Sequence, residues 1–261
     1  MPNTAAISLR QVQFKFGAQP VLDKLDLVAK PGQFLAIVGP NGCGKSTTLK
    51  LMAGLLRPST GTVTFGDTDI QHLSRRTLAQ QVALLTQQGA PPAGISVYDL
   101  VAMGRFAHQT LLSRRSAEDE QRIETALEAM QVSALRNRPV GQLSGGQLQR
   151  ARMAMTLAQD AAVLLLDEPT TFLDLKYQYG ILEQAQAQAR AGRTVVAVLH
   201  DFTQASLFAD TVALMHKGRL VASGMPDRVL TQDSIAQVFD VRTRTLAGHG
   251  AVFHVPESQV R

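Results

Sequence analysis

Residues 39–46 read Gly39-Pro40-Asn41-Gly42-Cys43-Gly44-Lys45-Ser46, and no other stretch restricts the fold of this chain as tightly. The spacing matches G-x-x-x-x-G-K-[ST], in which glycines let the backbone curl so that successive N–H groups converge on phosphate oxygens. A continuous apolar run, Phe34–Val38, precedes the loop. After it, residues 47–56 place Leu49, Met52, Ala53 and Leu56 at helical spacing. The expected unit is therefore strand, loop, helix, with the positive end of a helix beginning near Lys45 aimed at an anion. Lys45 offers a mobile ammonium to the outer phosphates of a nucleotide, and the Ser46 hydroxyl offers a ligand to Mg²⁺. Gly39, Pro40, Asn41, Gly42, Cys43, Gly44 and Thr47 complete the cradle. Cys43 occupies a free position of the motif, and its thiol is expected to be incidental.

The remaining pattern says what surrounds this unit. Ile7–Phe16 and residues 23–28 alternate apolar and polar positions, as half-buried strands do, and Lys30-Pro31-Gly32 is a turn. Further strands are expected at 62–65 and Val82–Leu85, followed by a flexible connector over 89–94. From 97 to about 135 strand patterns vanish, and Ile123, Ala126, Leu127 and Met130 share one helical face, which points to an inserted helical segment. Strand signals return at 163–166, 194–199 and 211–215. The first two are apolar throughout, as in parallel strands covered on both faces. Strands alternating with helices imply an α/β fold with a mostly parallel sheet.

Two of these strands end in groups that suit phosphoryl chemistry. The run 162–166 leads into Asp167-Glu168-Pro169. Two adjacent acids closing an apolar strand are costly to bury, although a solvent-exposed strand end would tolerate them. Beside a phosphate loop, Asp167 can hold Mg²⁺ through water, and Glu168 can polarise the attacking water. Leu199-His200-Asp201 closes another apolar strand, and parallel strands end on the edge where ligands bind. An imidazole there can hydrogen-bond a γ-phosphate, whereas a lone histidine is more often structural. His72, His108, His216, His249 and His254 lack such a setting and are assigned to surface or core.

Composition narrows the classes. The 261 residues, 45% apolar and 18% charged, suit one large or two modest globular domains and exclude a disordered chain. With 5% aromatic residues and no Trp, base stacking on a nucleic acid is disfavoured. The formal charge of +5 fits either a generic basic surface or an anionic partner. A single cysteine permits no intrachain disulfide, which suits a reducing compartment. The first 16 residues have no basic stretch followed by a long apolar one, so no secretory leader is expected. The longest apolar runs, 161–166 and 195–199, are far short of the ~20 residues that cross a bilayer.

Leu143-Ser144-Gly145-Gly146-Gln147-Leu148-Gln149-Arg150 supplies a second anion-binding surface. Ser144 and Gln147 fit a capping box, so a helix starts here with a hydroxyl and glycine N–H groups at its positive end. One chain cannot readily fold both this surface and the phosphate loop around a single phosphate.

LSGGQ lying between a phosphate loop and LLLDEP resembles the ATP-binding-cassette family over residues 7–224. The resemblance implies a P-loop NTPase core with an N-terminal antiparallel β subdomain and an inserted α-helical subdomain. The implied division is a first part of the core over 1–86, the helical subdomain over 87–149, the second part of the core over 150–224, and an extension over 225–261 packed on the core. In that extension, short helices are expected at 226–230 and 234–239. In the family two cassettes pack head to tail, with ATP between the loop of one and Ser144, Gly145, Gly146 and Gln147 of the other. By the same resemblance Phe16 stacks on adenine, Gln87 touches Mg²⁺ and the water, Asp174 communicates across the dimer, and His200 is the switch histidine. Residues 167–174, 199–205 and 97–105 are similar to importers of iron–siderophore complexes, haem and vitamin B12. That likeness implies two membrane permease subunits, a periplasmic or surface substrate-binding protein, no nucleic-acid partner, and a peripheral place on the cytoplasmic face of the inner membrane. A cassette ATPase acting on nucleic acid or in cofactor assembly, an exporter subunit, and a nucleotide-binding regulator without turnover are the competing readings.

Overall fold

The computed structural model describes residues 6–86, 94–109, 115–171, 173–248 and 251–259. Its centre is a six-stranded sheet in the order β10 (Arg219–Gly224), β9 (Thr211–His216), β3 (Phe34–Val38), β8 (Thr194–Val198), β7 (Val163–Asp167), β6 (Val82–Leu85). The strands from β9 to β6 are parallel, and only the edge strand β10 runs antiparallel, as the return arm of a hairpin. A second sheet is antiparallel, with β2 (Gln19–Ala29) and β4 (Thr60–Phe65) on either side of β1 (Ile7–Phe16), and the short β5 (Thr68–Asp69) at its edge.

The continuous apolar runs are explained by two cores, one on each face of the parallel sheet. In β3, Phe34, Ala36 and Val38 point into one core, while Leu35 and Ile37 point into the other. Both faces are covered, so no position can be polar. The second core fills the space between the two sheets, where helix α1 (Lys45–Met52) buries Leu49, Leu51 and Met52 together with Ile7, Leu9 and Leu25. The helix expected to reach Leu56 stops at Met52. Ala53 caps it, Gly54 turns left-handed at φ 66°, and Leu55 is exposed. Helix α2 (Arg75–Gln81), capped by Ser74, leads into β6.

The first core holds the helices placed between β6 and β7. These are α3 (Val97–Ala102), α4 (Ala117–Ala129) and α5 (Gly145–Ala158). Ser96 and Ser116 begin α3 and α4 with complete capping boxes, closed by Asp99 and Asp119. Ile123, Ala126, Leu127 and Met130 are all buried, on the face that their spacing predicts. Arg105, itself buried, donates to Asp119 Oδ1 at 2.8 Å and to the Ala158 carbonyl at 2.9 Å, which locks α4 to the end of α5. Helix α6 (Leu175–Arg190) joins β7 to β8, and α7 (Phe202–Phe208) joins β8 to β9.

Beyond β10 the chain forms α8 (Pro226–Val229), α9 (Gln232–Phe239) and an antiparallel hairpin of β11 (Val241–Gly248) and β12 (Ala251–Gln259). Phe202, at the start of α7, meets Phe239 edge-on at 4.9 Å and His254 at 6.0 Å. The two short helices match their sequence signals, whereas the hairpin answers to no expectation drawn from the sequence.

The buried Arg105–Asp119 pair gives a stability test. Burial would raise the Asp119 carboxyl, but hydrogen bonds from Arg105 and Ser116 outweigh it and hold the group below the ordinary aspartate range. A depressed folded-state pKa contributes stability that is complete above the unfolded value and is lost as pH falls through the folded one. Asp119→Ala is expected to lower unfolding free energy at neutral pH by about 3 kcal/mol, the typical cost of orphaning a buried charge. Urea titrations repeated towards pH 3 should show the gap between wild type and variant narrowing.

Candidate active site

The parallel strands bring the chemistry-bearing residues to one edge. β3 runs into the phosphate loop, and its neighbour β8 continues into His200. β7 ends at Asp167, which is in register with Val198 of β8, and Leu199 N–H donates to the Ile37 carbonyl at 3.1 Å. The ends of three adjacent strands therefore lie side by side, as open α/β sheets arrange their ligand sites.

Within the loop, Gly39 sits so close to its neighbours that an added Cβ would lie 2.3 Å from the Met215 carbonyl oxygen and 2.8 Å from Cys43 Sγ. Gly42 differs: its φ is 79° and the space around it is open. Gly44, at φ 102°, caps α1. Lys45 is buried, and its Nζ donates to the carbonyls of Gly39 at 2.7 Å and Pro40 at 2.9 Å. The ammonium therefore folds back onto the start of the loop. Asn41 and Gly42 are exposed, and Thr47 lies half-buried in the first turn of α1. Cys43 is buried, and that burial raises its thiol pKa despite the nearby Lys45, so it is held as a neutral thiol.

Ser46 Oγ donates to Asp167 Oδ1 at 2.8 Å. Asp167 is buried, which raises its carboxyl above the ordinary range. The Ser46 hydrogen bond pulls the other way, and the adjacent Glu168 charge adds to the rise. The pair presents two hard oxygens at the lip of the cradle. Mg²⁺ takes one or two protein oxygens and completes its shell with water and substrate phosphates, so this donor set fits it. Among the described residues there is no cluster of three or more His, Cys, Asp or Glu side chains able to hold a metal alone.

Glu168 has a left-handed backbone, φ 52°, which costs a non-glycine residue energy and turns its side chain back over the strand ends. Its Oε1 lies 2.7 Å from His200 Nε2, and its Oε2 accepts from Thr171 Oγ1 at 3.3 Å. A carboxylate so placed can accept a proton from water, and the imidazole, 44% exposed, remains open to a ligand. Asp201, next to His200, caps α7 by accepting from the N–H groups of Thr203 and Gln204.

Other expected site residues lie apart from this cluster. Phe16, at the end of β1, is 53% exposed and braced edge-on by Phe14 at 4.8 Å, so its ring face is open to a flat partner. Ser144 caps α5 with Gln147, and the box is complete: Ser144 N–H donates to Gln147 Oε1 at 3.0 Å, and Gln147 N–H to Ser144 Oγ at 3.3 Å. Ser144 and Gly145 are exposed, and among the described residues neither hydrogen-bonds the phosphate loop. Gly146 packs on Leu173, whose Cδ2 would be 3.2 Å from an added Cβ. Asp174 precedes α6 exposed, with no side-chain capping bond. Gln87 lies outside the described residues, as does most of the connector over 89–94.

Three glutamines that the sequence did not single out support the 168–174 loop. Gln149 Nε2 donates to the Pro169 carbonyl at 3.1 Å. Gln178 Nε2 donates to the Leu173 carbonyl at 2.8 Å, and Gln204 Nε2 to Gln178 Oε1 at 2.7 Å. Gln149 and Gln204 are buried. Their only sequence signal is a polar residue on an otherwise apolar helix face.

Residues 22–171 match the model of the family described as ABC transporter. The chain belongs to the ABC transporter family. Among its ABC relatives, the ferric enterobactin transport ATP-binding protein FepC of Escherichia coli is 39% identical over 241 residues, covering 92% of this chain and 89% of that protein. The hemin import ATP-binding protein HmuV of Rhodopseudomonas palustris is 38% identical over 246 residues, covering 91% and 92%. A metal-chelate type ABC transporter solved in an inward-facing conformation superposes with a TM-score of 0.82 at 27% identity, covering 97% of each chain. The ABC fold expected from the sequence, including the mixed parallel and antiparallel sheets, is the fold observed.

The two loop glycines separate space from backbone strain. Gly39→Ala forces a side chain into a carbonyl and is expected to destabilise by about 2 kcal/mol or more, as overpacking does. Gly42→Ala meets only an unfavourable φ and should cost about 1 kcal/mol. Urea unfolding of the two variants side by side checks the order.

Proposed function

We propose that this chain is the ATP-binding and ATP-hydrolysing subunit of an importer that takes up a metal chelate, an iron–siderophore complex in the first instance, through separate permease subunits. The observation that carries the reading is the meeting of the loop, the Ser46–Asp167 pair and the Glu168–His200 pair at one sheet edge. The cargo follows the relatives, which are named for ferric enterobactin and hemin.

In this reading Phe16 stacks on adenine, and the N–H groups of residues 39 and 41–47 enclose the phosphates, with Pro40 shaping the loop, while Lys45 moves from the Gly39 and Pro40 carbonyls onto the outer ones. Ser46 and Asp167, with Gln87, would hold Mg²⁺, which would supply neutralisation of phosphate charge when bound. Glu168 orients a water and takes its proton as the water oxygen bonds to the γ-phosphorus. The bond from that phosphorus to the β–γ bridging oxygen breaks, and ADP and inorganic phosphate leave. His200 exchanges Glu168 for a γ-phosphate oxygen when the triphosphate is bound, and so reports its loss.

Ser144, Gly145, Gly146 and Gln147 face a second copy, and close the site on that copy's triphosphate with Asp174 beside them. The exposed, capped first turn of α5 supports this, because it presents a hydroxyl and glycine N–H groups at a positive helix end to the outside of the chain. ATP thus favours the closed pair, and hydrolysis releases it. The segment over 87–149 takes up the movement and passes it to two permease subunits near the Gln87 connector, with a substrate-binding protein on the far side of the membrane. The chain would sit peripherally against the cytoplasmic face, docked on those permeases; no helix among the described residues is long and apolar enough to cross a bilayer.

Glu168→Gln keeps the shape and removes the proton acceptor. Hydrolysis is expected to fall at least about 100-fold, the usual contribution of a positioned general base. ATP binding should persist, and an ATP-bound dimer should accumulate in light-scattering measurements. Turnover at the wild-type rate would overturn the role given to this carboxylate. Uptake by vesicles carrying the permeases, compared for ferric siderophore and haem, decides the cargo.

A further inference from the structure

We propose that the β9–β10 turn, through the backbone of Gly218, sets the spacing between the phosphate loop and the β1–β2 arm, and so makes tight nucleotide binding depend on the base as well as the phosphates. The inference rests on the reading of Phe16 as the base platform and of residues 39–46 as the phosphate cradle.

Gly218 joins the two parts directly. Its N–H donates to the carbonyl of Cys43 in the loop at 3.2 Å, and its carbonyl accepts from the N–H of Asp23 in β2 at 3.0 Å. Its φ of 79° is one that a side chain disfavours. An added Cβ would lie 2.3 Å from the Val21 carbonyl oxygen, 3.1 Å from the Val21 carbonyl carbon and 3.2 Å from Leu22 Cα. All three are backbone atoms, so no flexible side chain can yield, and the arm must shift outward. Five residues before Val21, Phe16 pairs with Gln19 at the tip of the same arm.

The hairpin also grips the loop at its entrance, where the Met215 carbonyl oxygen would be 2.3 Å from a Cβ on Gly39. Arg219, the next residue after Gly218, staples β10 to β2 from outside, its Nε donating to Asp23 Oδ2 at 2.9 Å. The arm also meets the loop directly at Gly44, where an added Cβ would lie 2.5 Å from Leu22 Cδ2 and 3.3 Å from the Val21 carbonyl oxygen. A cavity of about 1060 Å³ opens beside the junction, lined by Lys15, Val21, Gly42, Lys217 and Gly218 among others.

A nucleoside triphosphate has a fixed reach from base to phosphates. If the platform moves relative to the cradle, the ligand satisfies one end at the expense of the other, because positioning within about an ångström decides whether both sets of contacts form. Inorganic tripolyphosphate has the phosphates and no base, so its affinity for the cradle is indifferent to the arm.

The test is calorimetric titration of the full chain with ATP and with tripolyphosphate, both with Mg²⁺, on wild type, Gly218→Ala, Arg219→Ala, Phe16→Ala and Phe16→Ala/Arg219→Ala. The wild type is expected to prefer ATP. Gly218→Ala should reduce that preference at least about fivefold. Arg219→Ala, which removes only an exposed ion pair, should reduce it about two- to threefold. In the Phe16→Ala background Arg219→Ala should have no further effect, since there is no platform left to place. Equal loss of ATP and tripolyphosphate, or an unchanged preference, would overturn the inference, because a merely structural turn would act on both ligands alike. Should Gly218→Ala fail to fold, Arg219→Ala and its double variant decide. Lys45→Ala separates the two levels of argument: if it leaves ATP binding intact, the nucleotide reading fails, whereas its loss of both ligands with an unmoved preference in the turn variants refutes the turn alone.

Discussion

The hydrogen bond from Ser46 to Asp167 is the contact on which the site depends, because it joins the first turn of α1 to the end of β7 across the top of the sheet. The two residues are 121 positions apart in sequence, and neither is placed usefully by its own element alone. β7 places the carboxylate only because it lies two strands from β3, and β8 between them brings His200 to the same edge. Burial raises the Asp167 carboxyl above the ordinary aspartate range, and the Ser46 hydrogen bond offsets part of that rise.

Around that contact, the two cores act as rigid walls. The alternation of Phe34, Ala36 and Val38 against Leu35 and Ile37 means that the strand leading into the loop is packed on both faces. The loop itself has little freedom, since Gly39 touches Met215 and the Gly218 turn holds Cys43. Lys45 rests on two carbonyls and His200 on Glu168, the contacts that the proposed cycle would exchange.

Much of this was legible in the sequence. Gly39 through Ser46, the apolar runs ending at Asp167 and Leu199, and the Ser144–Gln147 capping box are local patterns, and each folds as its spacing predicts. Apolar spacing overextends helix α1, because Ala53 and Leu56 continue it while Gly54 breaks the backbone. What the sequence concealed is non-local. Gln149, Gln178 and Gln204 gain their meaning only from carbonyls and amides brought together by the fold, and Gly218 is one glycine among twenty until Val21 and Cys43 are seen on either side of it. The β11–β12 hairpin follows short helices with weak alternation, and packs through His254 on Phe202, a contact that no periodicity announces.

The central claim is that one triphosphate is gripped by the loop of one copy and by the α5 N-terminus of another. The most direct measurement is a structure of the Glu168→Gln protein with Mg²⁺ and ATP in its assembled complex. The account predicts Lys45 of one copy and Ser144 of the second copy in hydrogen-bonding contact with the same nucleotide. A complex in which Ser144 lies far from any phosphate, together with wild-type monomers that hydrolyse ATP at a rate independent of protein concentration, would contradict it.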